Sequence, residues 1–535
     1  MPGHRSIVDV RVHFLSIFAF VPDMPTFFRR PLALLCLLVC MAGSPDASAQ
    51  LAPRVRAAQA QMQQVVQDTI RSPVFSGALW GIEVTNLRTG RRLLGQNPRA
   101  LFTPASNVKL LTAVAALRRL GPAYQYRTRL YRDGPVRDGV LRGNLIVRGS
   151  GDPTLGGYQQ RADPTAVFRR WADSLRAAGI TRIAGDIIGD DDPFSDVPLG
   201  EGWSWNDVPY AYAAESNGLV FNRNTIRLTV RGDRPGAPGR ITWTPFGTDF
   251  VRVRNQSRTV PRDSASDEAY DRPFNENRFV VRSRLHPNET QEESLAITEP
   301  TRYFTHTLRA VLQREGIAVA GRGVDVDQMP IRPSYAADTV QRVATYRSPP
   351  LREIVRTMNH ESENLYAEQL LRTLAVVNRP DTTARDLSVG SAALGALAVR
   401  RELGAMGVDT SRVQLVDGSG LSRKDYLRPQ ALTQVLEHMW TEAPDSLRTA
   451  FVESLPRGGE DGTLKYRYAD GAPARGNVRA KTGTLSSVSA LSGYVTTEAD
   501  TPLSFVIFSN HHMAETAAVR AAQDAIVNAL ARLPI

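Results

Sequence analysis

TPASNVKLL, residues 103–111, places a serine and a lysine three positions apart at the start of a helical pattern. The chain contains 65 lysines and arginines, of which four are lysines (Lys109, Lys424, Lys465 and Lys481), so 61 (65 − 4) are arginines. A preference for arginine does not explain which positions keep lysine. Arginine is effectively always protonated, whereas a desolvated lysine can lose its proton and then accept one from a hydroxyl group.

The apolar residues after Ser106 predict a helix with one buried face, which Gly121 ends. Ser106 and Lys109, three positions apart in its first turn, share one helix face. At a helix start, backbone N–H groups favour developing negative charge. This pattern predicts a nucleophilic Ser106 with Lys109 as its base. The alternative is a Ser106 that only caps the helix beside a solvated Lys109.

A second pattern, Lys481-Thr482-Gly483-Thr484, lies on a strand-like segment that another strand follows. A cation and two hydroxyl groups along one strand edge fit an extended peptide that ends in a carboxylate. Gly483, which has no side chain, is expected to let the substrate backbone approach closely. The alternative is an ordinary strand with one exposed lysine.

The third pattern is Ser362-Glu363-Asn364, within MNHESENLYAEQLL. Positions i and i+2 do not share a helix face, so we predict a turn between two helices, with both outer side chains pointing inward. Ser362 is expected to relay a proton to the leaving group and Asn364 to hold the substrate amide and Lys109. Ser204-Trp205-Asn206 matches the same pattern, and a Ser362 that only caps a helix is a further alternative.

Helical and strand-like patterns at the two ends of the chain predict one α/β (α+β) domain. A helix at 52–71 and a hairpin in 77–97 precede Ser106, and helices followed by antiparallel strands and a final helix come after 348. We expect a discontinuous domain, residues 50–122 with 341–535, built as an antiparallel sheet flanked by helices.

Residues 123–340 have a different character, with short strands, Gly-Asp turns and many arginines, and we predict that they are an insertion. SLRAAGITRIAGDIIGDDD (174–192) and VLQREGIAVAGRGVDVDQ (311–328) resemble each other, which indicates two related α/β units. The expected subdomains are residues 123–192 with 291–340, and a nested strand-rich part at 193–290.

The N-terminus, from Met24, has two arginines, an apolar run and the small-residue site Ala47-Ser48-Ala49. This pattern predicts a signal peptide with an N-terminal extension in residues 1–49, and a protein exported to the periplasm or the cell envelope. Cys36 and Cys40 lie inside it, so the mature chain is expected to form no disulfide. A lipid anchor on Cys40 is the alternative.

The composition excludes several classes of function. The formal charge is +11 and the pI about 9.8, but the arginines are scattered and do not alternate with aromatic residues, which argues against nucleic-acid binding. The expected mature chain has no apolar stretch of about 18 residues, so no transmembrane segment is predicted. His511-His512 has no third ligand at metal-binding spacing, so neither a metal nor another cofactor is expected.

In this order the three patterns resemble the signature of penicillin-recognising serine enzymes. The chain is similar to the class C low-molecular-mass penicillin-binding proteins, a family of D-alanyl-D-alanine carboxypeptidase/endopeptidases. The members of this family carry two extra domains between the first and second motifs, and 252 residues (362 − 109 − 1) separate Lys109 from Ser362 here. Further stretches carry the resemblance: GSGDPTL (149–155), YAYAAESNGLVFNRN (210–224), DGSGLSR (417–423) and LPRGGEDGTL (455–464).

The resemblance implies a penicillin-recognising serine transpeptidase-like fold and a mechanism through an acyl-enzyme. Ser106 would attack the penultimate D-alanine carbonyl of a peptidoglycan stem peptide, with Lys109 as base. Ser362 and Lys481 would carry the proton to the leaving D-alanine, and the backbone N–H groups of Ser106 and Thr484 would form the oxyanion hole.

The same resemblance implies that Lys481, Thr482 and Thr484 bind the terminal carboxylate and that β-lactams acylate Ser106. Many relatives have aspartate or serine where Glu363 stands, a side chain with no assigned role. Two alternatives are a β-lactamase, against which the long insertion argues, and a catalytically silent wall-binding module, against which the intact serines and lysines argue.

Overall fold

A computed structural model describes residues 53–245, 249–378 and 389–535. The predicted signal peptide and both cysteines therefore lie outside the described residues. The described residues from Ala58 to Ile535 belong to one compact unit. Within the described ranges, no helix combines the length and the apolar character needed to cross a bilayer.

Ten α-helices lie in the described ranges, and they include the helices predicted at both ends of the chain. They are α1 Pro53–Ile70, α2 Val108–Leu120, α3 Ala166–Ala177, α4 Pro300–Arg314, α5 Leu351–His360, α6 Asn364–Val377, α7 Ala392–Ala405, α8 Pro429–Thr441, α9 Asp445–Glu453 and α10 Thr516–Ala531.

Strands fall into two groups along the sequence, before and after the helical block. They are β1 Leu79–Asn86, β2 Arg91–Gln96, β3 Arg127–Asp133, β4 Val136–Arg137, β5 Val140–Leu141, β6 Asn144–Arg148, β7 Arg182–Ile183, β8 Ile187–Asp190, β9 Thr225–Arg231, β10 Arg240–Thr244, β11 Arg252–Asn255, β12 Arg258–Thr259, β13 Tyr270–Asp271, β14 Arg278–Val281, β15 Arg284–Leu285, β16 Thr290–Ala296, β17 Ala318–Val319, β18 Gly323–Asp325, β19 Val340–Arg347, β20 Arg479–Leu485, β21 Val488–Thr496 and β22 Pro502–Asn510.

The central sheet joins the two ends of the chain. Its order is β2-β1-β22-β21-β20, with every neighbouring pair antiparallel. Along β22, Phe505 and Ile507 belong to one hydrophobic core, and Val506 and Phe508 belong to another. Because alternate strand residues point to opposite faces, both faces of this sheet are covered. Helix α8 packs against β22 and α10 against β21. The expected antiparallel sheet flanked by helices is confirmed.

Helix α2, which follows Ser106, is buried more deeply than its sequence pattern predicted. All of its residues from Val108 to Leu117 are buried, not only one face. The reason is that α2 packs against five other helices, α5, α6, α7, α8 and α9. A helix enclosed in this way buries its polar side chains as well, and Lys109 and Thr112 are among them.

The strands between β3 and β19 form separate sheets. One has the order β18-β8-β6-β3-β19 and another β17-β7-β5-β4, while β9 to β16 form three smaller sheets. The two stretches that resemble each other in sequence supply equivalent strands, and these pair in parallel, β7 with β17 and β8 with β18. These strands and helices α3 and α4 surround a hydrophobic core of their own.

Candidate active site

Ser106 lies in a tight turn that ends where α2 begins. Residues Ala105–Asn107 form a 3₁₀ turn, and Ala105 has a left-handed backbone with φ 47°. Ala105 and Asn107 are buried, but Ser106 between them remains partly exposed. The Asn107 side chain donates to the Lys481 carbonyl over 3.3 Å, which ties this turn to strand β20. The turn therefore presents one hydroxyl group at the surface of a cavity.

Lys109 is fully buried directly beneath Ser106. Its Nζ lies 2.9 Å from Ser106 Oγ, 2.6 Å from Asn364 Oδ1 and 2.7 Å from the Ser419 carbonyl oxygen. These three acceptors match the three donors of an ammonium group. Burial lowers the pKa of Lys109 to about 8, although the carboxylates of Asp417 and Glu368 oppose this shift. A substantial fraction of this amine is neutral near physiological pH.

Lys481 is the second buried lysine, unlike the exposed strand residue that was the alternative prediction. Its Nζ donates to Ser362 Oγ over 2.8 Å and to the Thr482 carbonyl over 2.9 Å. Burial and then the nearby charge of Lys109 hold the pKa of Lys481 well below its ordinary value. Each buried lysine is thus hydrogen-bonded to a serine hydroxyl group.

Ser362 lies between α5 and α6, as the sequence predicted. Its backbone is left-handed, with φ 56°, and Asn364 is the first residue of α6. The Asn364 side chain accepts from Lys109 and donates to the Tyr212 carbonyl over 2.7 Å. Ser204 and Asn206, the other match to this sequence pattern, line the same cavity, but the two lysines bond to Ser362 and Asn364.

These groups open into a cavity of about 530 Å³. Ser106, Ser362, Asn364 and Thr484 are in its wall. The cavity wall also contains a carboxylate, a phenol and a guanidinium group, which the sequence had not indicated: Asp207, Tyr212 and Arg423. A chain running from Ser106 past Thr484 would therefore meet both hydroxyl groups and charges.

The residues of the KTG pattern are placed differently from one another. Thr484 is exposed in the cavity, whereas Thr482 Oγ1 donates to Thr463 Oγ1 over 2.9 Å. A Cβ atom at Gly483 would lie 3.0 Å from the Pro104 carbonyl oxygen and 3.1 Å from Ala105 Cβ. The structure therefore indicates a role for Gly483 other than substrate approach. Because it has no side chain, β20 can pack against the turn that carries Ser106.

Asp417 organises a loop to which the sequence had assigned no role. Its Oδ1 accepts from the backbone N–H groups of Ser419 and Gly420, and its Oδ2 accepts from the Ser422 N–H and from Trp203 Nε1. The loop turns so that the Ser419 carbonyl faces Lys109. The Asp-Gly-Ser-Gly sequence is a turn signal, but it does not indicate which amine the turn contacts.

Replacing Gly420 with alanine should lower the free energy of unfolding by about 3 kcal/mol or more. Gly420 has φ 76°, and a Cβ atom there would lie 1.9 Å from the Ala105 carbonyl oxygen. Gly407→Ala is the matched control, because its φ is 77° and the space around it is open. The control should cost about 1 kcal/mol, from backbone strain alone. Urea unfolding of both variants measures the difference, and equal losses would contradict the packing of this loop against Ala105.

Comparison with known proteins gives consistent matches over most of the chain. The D-Ala-D-Ala carboxypeptidase 3 (S13) family model matches residues 62–533. The D-alanyl-D-alanine carboxypeptidase of Actinomadura sp. (strain R39) is 30% identical over 515 residues, 94% of this chain and 90% of that protein. The D-alanyl-D-alanine carboxypeptidase DacB of Haemophilus influenzae is 28% identical over 445 residues, 81% of this chain and 86% of that protein.

Solved structures show the same fold. The crystal structure of penicillin-binding protein 4 (dacB) from Haemophilus influenzae superposes with a TM-score of 0.73 at 26% identity, and covers 87% of this chain and 99% of that one. A second crystal structure of that protein, complexed with a novel β-lactam, gives a TM-score of 0.68 at 24% identity with the same coverage.

Proposed function

Because this chain belongs to the D-Ala-D-Ala carboxypeptidase (S13) family, we propose a mechanism in which its two buried lysines move protons for an acylating serine. The protein is a serine-type D-alanyl-D-alanine carboxypeptidase of the penicillin-binding fold. One observation carries the mechanism: Ser106 and Ser362 open into one cavity, and each is hydrogen-bonded to a fully buried lysine.

Acylation begins at Ser106. Its Oγ attacks the carbonyl carbon of the penultimate D-alanine while the hydroxyl proton passes to the neutral Nζ of Lys109, 2.9 Å away. The oxygen that becomes negative is stabilised by the backbone N–H groups of Ser106 and Thr484. Lys109 becomes positively charged when it gains this proton. The nearby carboxylates stabilise that charge, which is also why they oppose the fall in its pKa that burial causes.

The leaving D-alanine needs a proton on its nitrogen as the peptide bond breaks. Ser362 donates its hydroxyl proton to that nitrogen and is reprotonated from Lys481, 2.8 Å away. Asn364 holds Lys109 in place and is positioned to bind the substrate amide. The proton that Lys109 gained from Ser106 then replaces, by way of cavity water, the proton that Lys481 gave up, so that both lysines regain their starting charge. A water molecule next attacks the ester carbonyl, and the neutral Lys109 takes a proton from it. Lys109 passes this proton to Ser106 Oγ as the ester bond breaks, which restores the free enzyme.

Substrate binding is assigned to the edge of β20. Thr484 lines the cavity, Thr482 lies two residues before it on the same strand, and the buried Lys481 bonds to Ser362 in the cavity wall. An approaching carboxylate favours the protonated form of Lys481, which burial otherwise disfavours. We assign peptidoglycan stem peptides as substrates, with carboxypeptidase and endopeptidase activity on them, and β-lactams as covalent inhibitors that acylate Ser106.

The family and the leader-like sequence together support export to the periplasm or cell envelope. Residues 24–49 have the pattern of a secretory signal. The substrates proposed here are cell-wall peptides, which a protein must leave the cytoplasm to reach. No cofactor is assigned to any step, since the two lysines and two serines supply every proton transfer.

We also propose a discontinuous catalytic domain, 50–122 with 341–535, interrupted by residues 123–340. The central sheet takes no strand from the interrupting segment, which supports this division. The antiparallel pairing of β19 with β3 favours an end of the insertion at Arg347 instead of 340. Within it, residues 123–192 with 291–340 would form one subdomain and 193–290 a nested one, and the pairing of β16 with β9 favours extending the nested part to Ala296.

The enzyme should release D-alanine from a peptide that ends in D-Ala-D-Ala, with kcat/KM that rises with pH and levels off above about 8. The active form contains neutral Lys109, whose pKa is lowered to about 8, so activity is lost as pH falls below that value. Below the plateau the slope should approach tenfold per pH unit for a single essential base.

A peptide that ends in D-Ala-L-Ala is the matched control and should release no alanine. Enzyme labelled with a fluorescent penicillin separates the remaining alternatives. A persistent label with D-alanine release supports a carboxypeptidase, whereas rapid loss of the label with no D-alanine release would favour a β-lactamase. A flat pH profile between pH 6 and 9 would contradict Lys109 as the base.

A further inference from the structure

Glu363, the middle residue of Ser362-Glu363-Asn364, has no role in the mechanism above, yet it is held more firmly than a surface residue would be. Its Oε2 accepts from the Tyr158 hydroxyl group over 2.6 Å and from Arg223 Nη1 over 3.0 Å. Arg223 Nη1 also donates to the Tyr158 oxygen over 2.9 Å. The three side chains therefore form a closed triangle of hydrogen bonds, in which the Glu363 and Arg223 side chains are only 7% and 15% exposed.

The backbone on both sides of this triangle is unusual. Asn222, Arg223 and Asn224 are all left-handed, with φ of 48°, 58° and 53°, and Ser362 is left-handed with φ 56°. Asparagine tolerates this conformation, but arginine and serine adopt it only where the surroundings hold them, which applies to Arg223 and Ser362. The Asn222 side chain donates to the Thr225 carbonyl and the Asn224 side chain to the Glu215 carbonyl, so the Arg223 turn is fixed independently of Glu363.

The direction of the Ser362 hydroxyl group depends on this conformation. Ser362 Oγ receives a hydrogen bond from Lys481, and two residues later Asn364 Oδ1 receives one from Lys109. Glu363 lies between these two residues in the chain, but its side chain contacts Arg223 and Tyr158 and neither lysine. Two donors hold the Glu363 carboxylate and so restrain the middle residue of this segment, and one of them is a charge-assisted hydrogen bond, which is stronger than a neutral one.

We propose that Arg223 and Tyr158, acting through Glu363, are positioning residues that set the Ser362 hydroxyl group for proton delivery. This inference rests on the proposed function, because it needs Ser362 to act in the reaction. None of the three side chains is required to touch the substrate. Both Arg223 and Tyr158 come from the segment 123–340, so this segment completes the catalytic centre as well as flanking the cavity.

A neighbouring pair supplies an internal comparison. The guanidinium of Arg161 lies over the Tyr158 ring at 4.2 Å, much as Arg223 does at 4.6 Å. Arg161 also pairs with Glu361, on the other side of Ser362, but over 3.9 Å and with both side chains about half exposed. An exposed pair at this distance contributes little. Replacing Arg161 therefore measures the effect on the reaction of a nearby arginine that makes no contact with a buried carboxylate.

The experiment compares Glu363→Gln and Arg223→Gln with Arg161→Gln in the full chain. Both of the first two variants should lower the rate constant for acylation by a fluorescent penicillin, and kcat for D-alanine release, on the order of 100-fold. KM should remain unchanged, because the substrate contacts remain. Arg161→Gln should alter either rate by less than about twofold.

The same changes are then made in a Ser362→Ala background, with acylation followed over hours at high penicillin concentration. Residues that act only through Ser362 should cause no further loss there. A loss of the same size in both backgrounds would overturn the proposal, since a purely structural effect does not depend on the Ser362 hydroxyl group. The proposal would also be overturned if Glu363→Gln left both rates unchanged in the protein that keeps Ser362.

If the charge change in Glu363→Gln or Arg223→Gln prevents folding, Tyr158→Phe serves as a second variant, because it leaves both charges in place. It removes one hydroxyl group from the triangle. We expect kcat to fall by about fivefold in the protein that keeps Ser362, and no further fall in the Ser362→Ala variant. An unchanged kcat overturns the proposal. Failure of the proposed function is distinguishable, because the unmodified chain would then neither release D-alanine nor take up the label.

Discussion

Replacing Lys109 with arginine will lower the rate of Ser106 acylation by about 10⁴-fold. The substitution keeps a positive charge at a position where the lysine Nζ contacts Ser106, Asn364 and the Ser419 carbonyl. A guanidinium group does not give up its proton in proteins, so it cannot accept one from the serine hydroxyl group. The loss is therefore expected even where the protein remains folded.

Single-turnover acylation by a fluorescent penicillin measures this loss, with thermal unfolding as the check on folding. Lys424→Arg is the matched control, because it makes the same chemical change at a partly exposed lysine paired with Glu201. That control should be acylated at the normal rate. Acylation of Lys109→Arg within tenfold of the unmodified rate would rule out Lys109 as the base.

Replacing Ser106 with alanine will abolish covalent labelling and lower D-alanine release by about 10⁶-fold. Ser106 is the partly exposed residue of an otherwise buried turn, and it has both a base and the cavity beside it. Without its oxygen no ester forms. Stability should change little, since the residue lost is one hydroxyl group at a cavity wall.

Peptide mapping by mass spectrometry tests this prediction directly. In the unmodified protein the penicillin adduct should be found on the peptide that contains Ser106, and in the Ser106→Ala variant it should be absent throughout. An adduct that forms at the normal rate on another serine of the variant would show that the nucleophile had been assigned wrongly.

The order and type of the elements follow from sequence patterns, and so do the candidate catalytic residues. The hairpin at β1 and β2, the helix after Ser106 and the strand after Lys481 were all predicted, because each has a period and end signals within a short window. The Ser362 turn between two helices was predicted for the same reason. These features are local, and local patterns are what a single sequence carries.

The burial of Lys109 and Lys481 did not follow from the sequence. Helix α2 was expected to bury one face, but five helices surround it, and which elements pack around a helix is decided by contacts far apart in the chain. The same holds for Asp417 with Trp203 and for Arg223 with Glu363, which join segments more than 100 residues apart. The sequence pattern predicted that Gly483 lets the substrate approach, whereas in the structure Gly483 lets β20 pack against the Ser106 turn. The sequence does not show which side of the strand faces that turn.

The mechanism requires Lys109 to lose its charge at moderate pH beside Ser106, and an NMR titration of lysines labelled with ¹³C at the ε position measures this ionisation. The chain has four lysines, so the spectrum is simple and Lys109→Arg identifies one signal. We expect that signal to titrate with a midpoint near 8, as burial of Lys109 implies. A Lys109 midpoint at the ordinary value of 10.5 would rule out this mechanism.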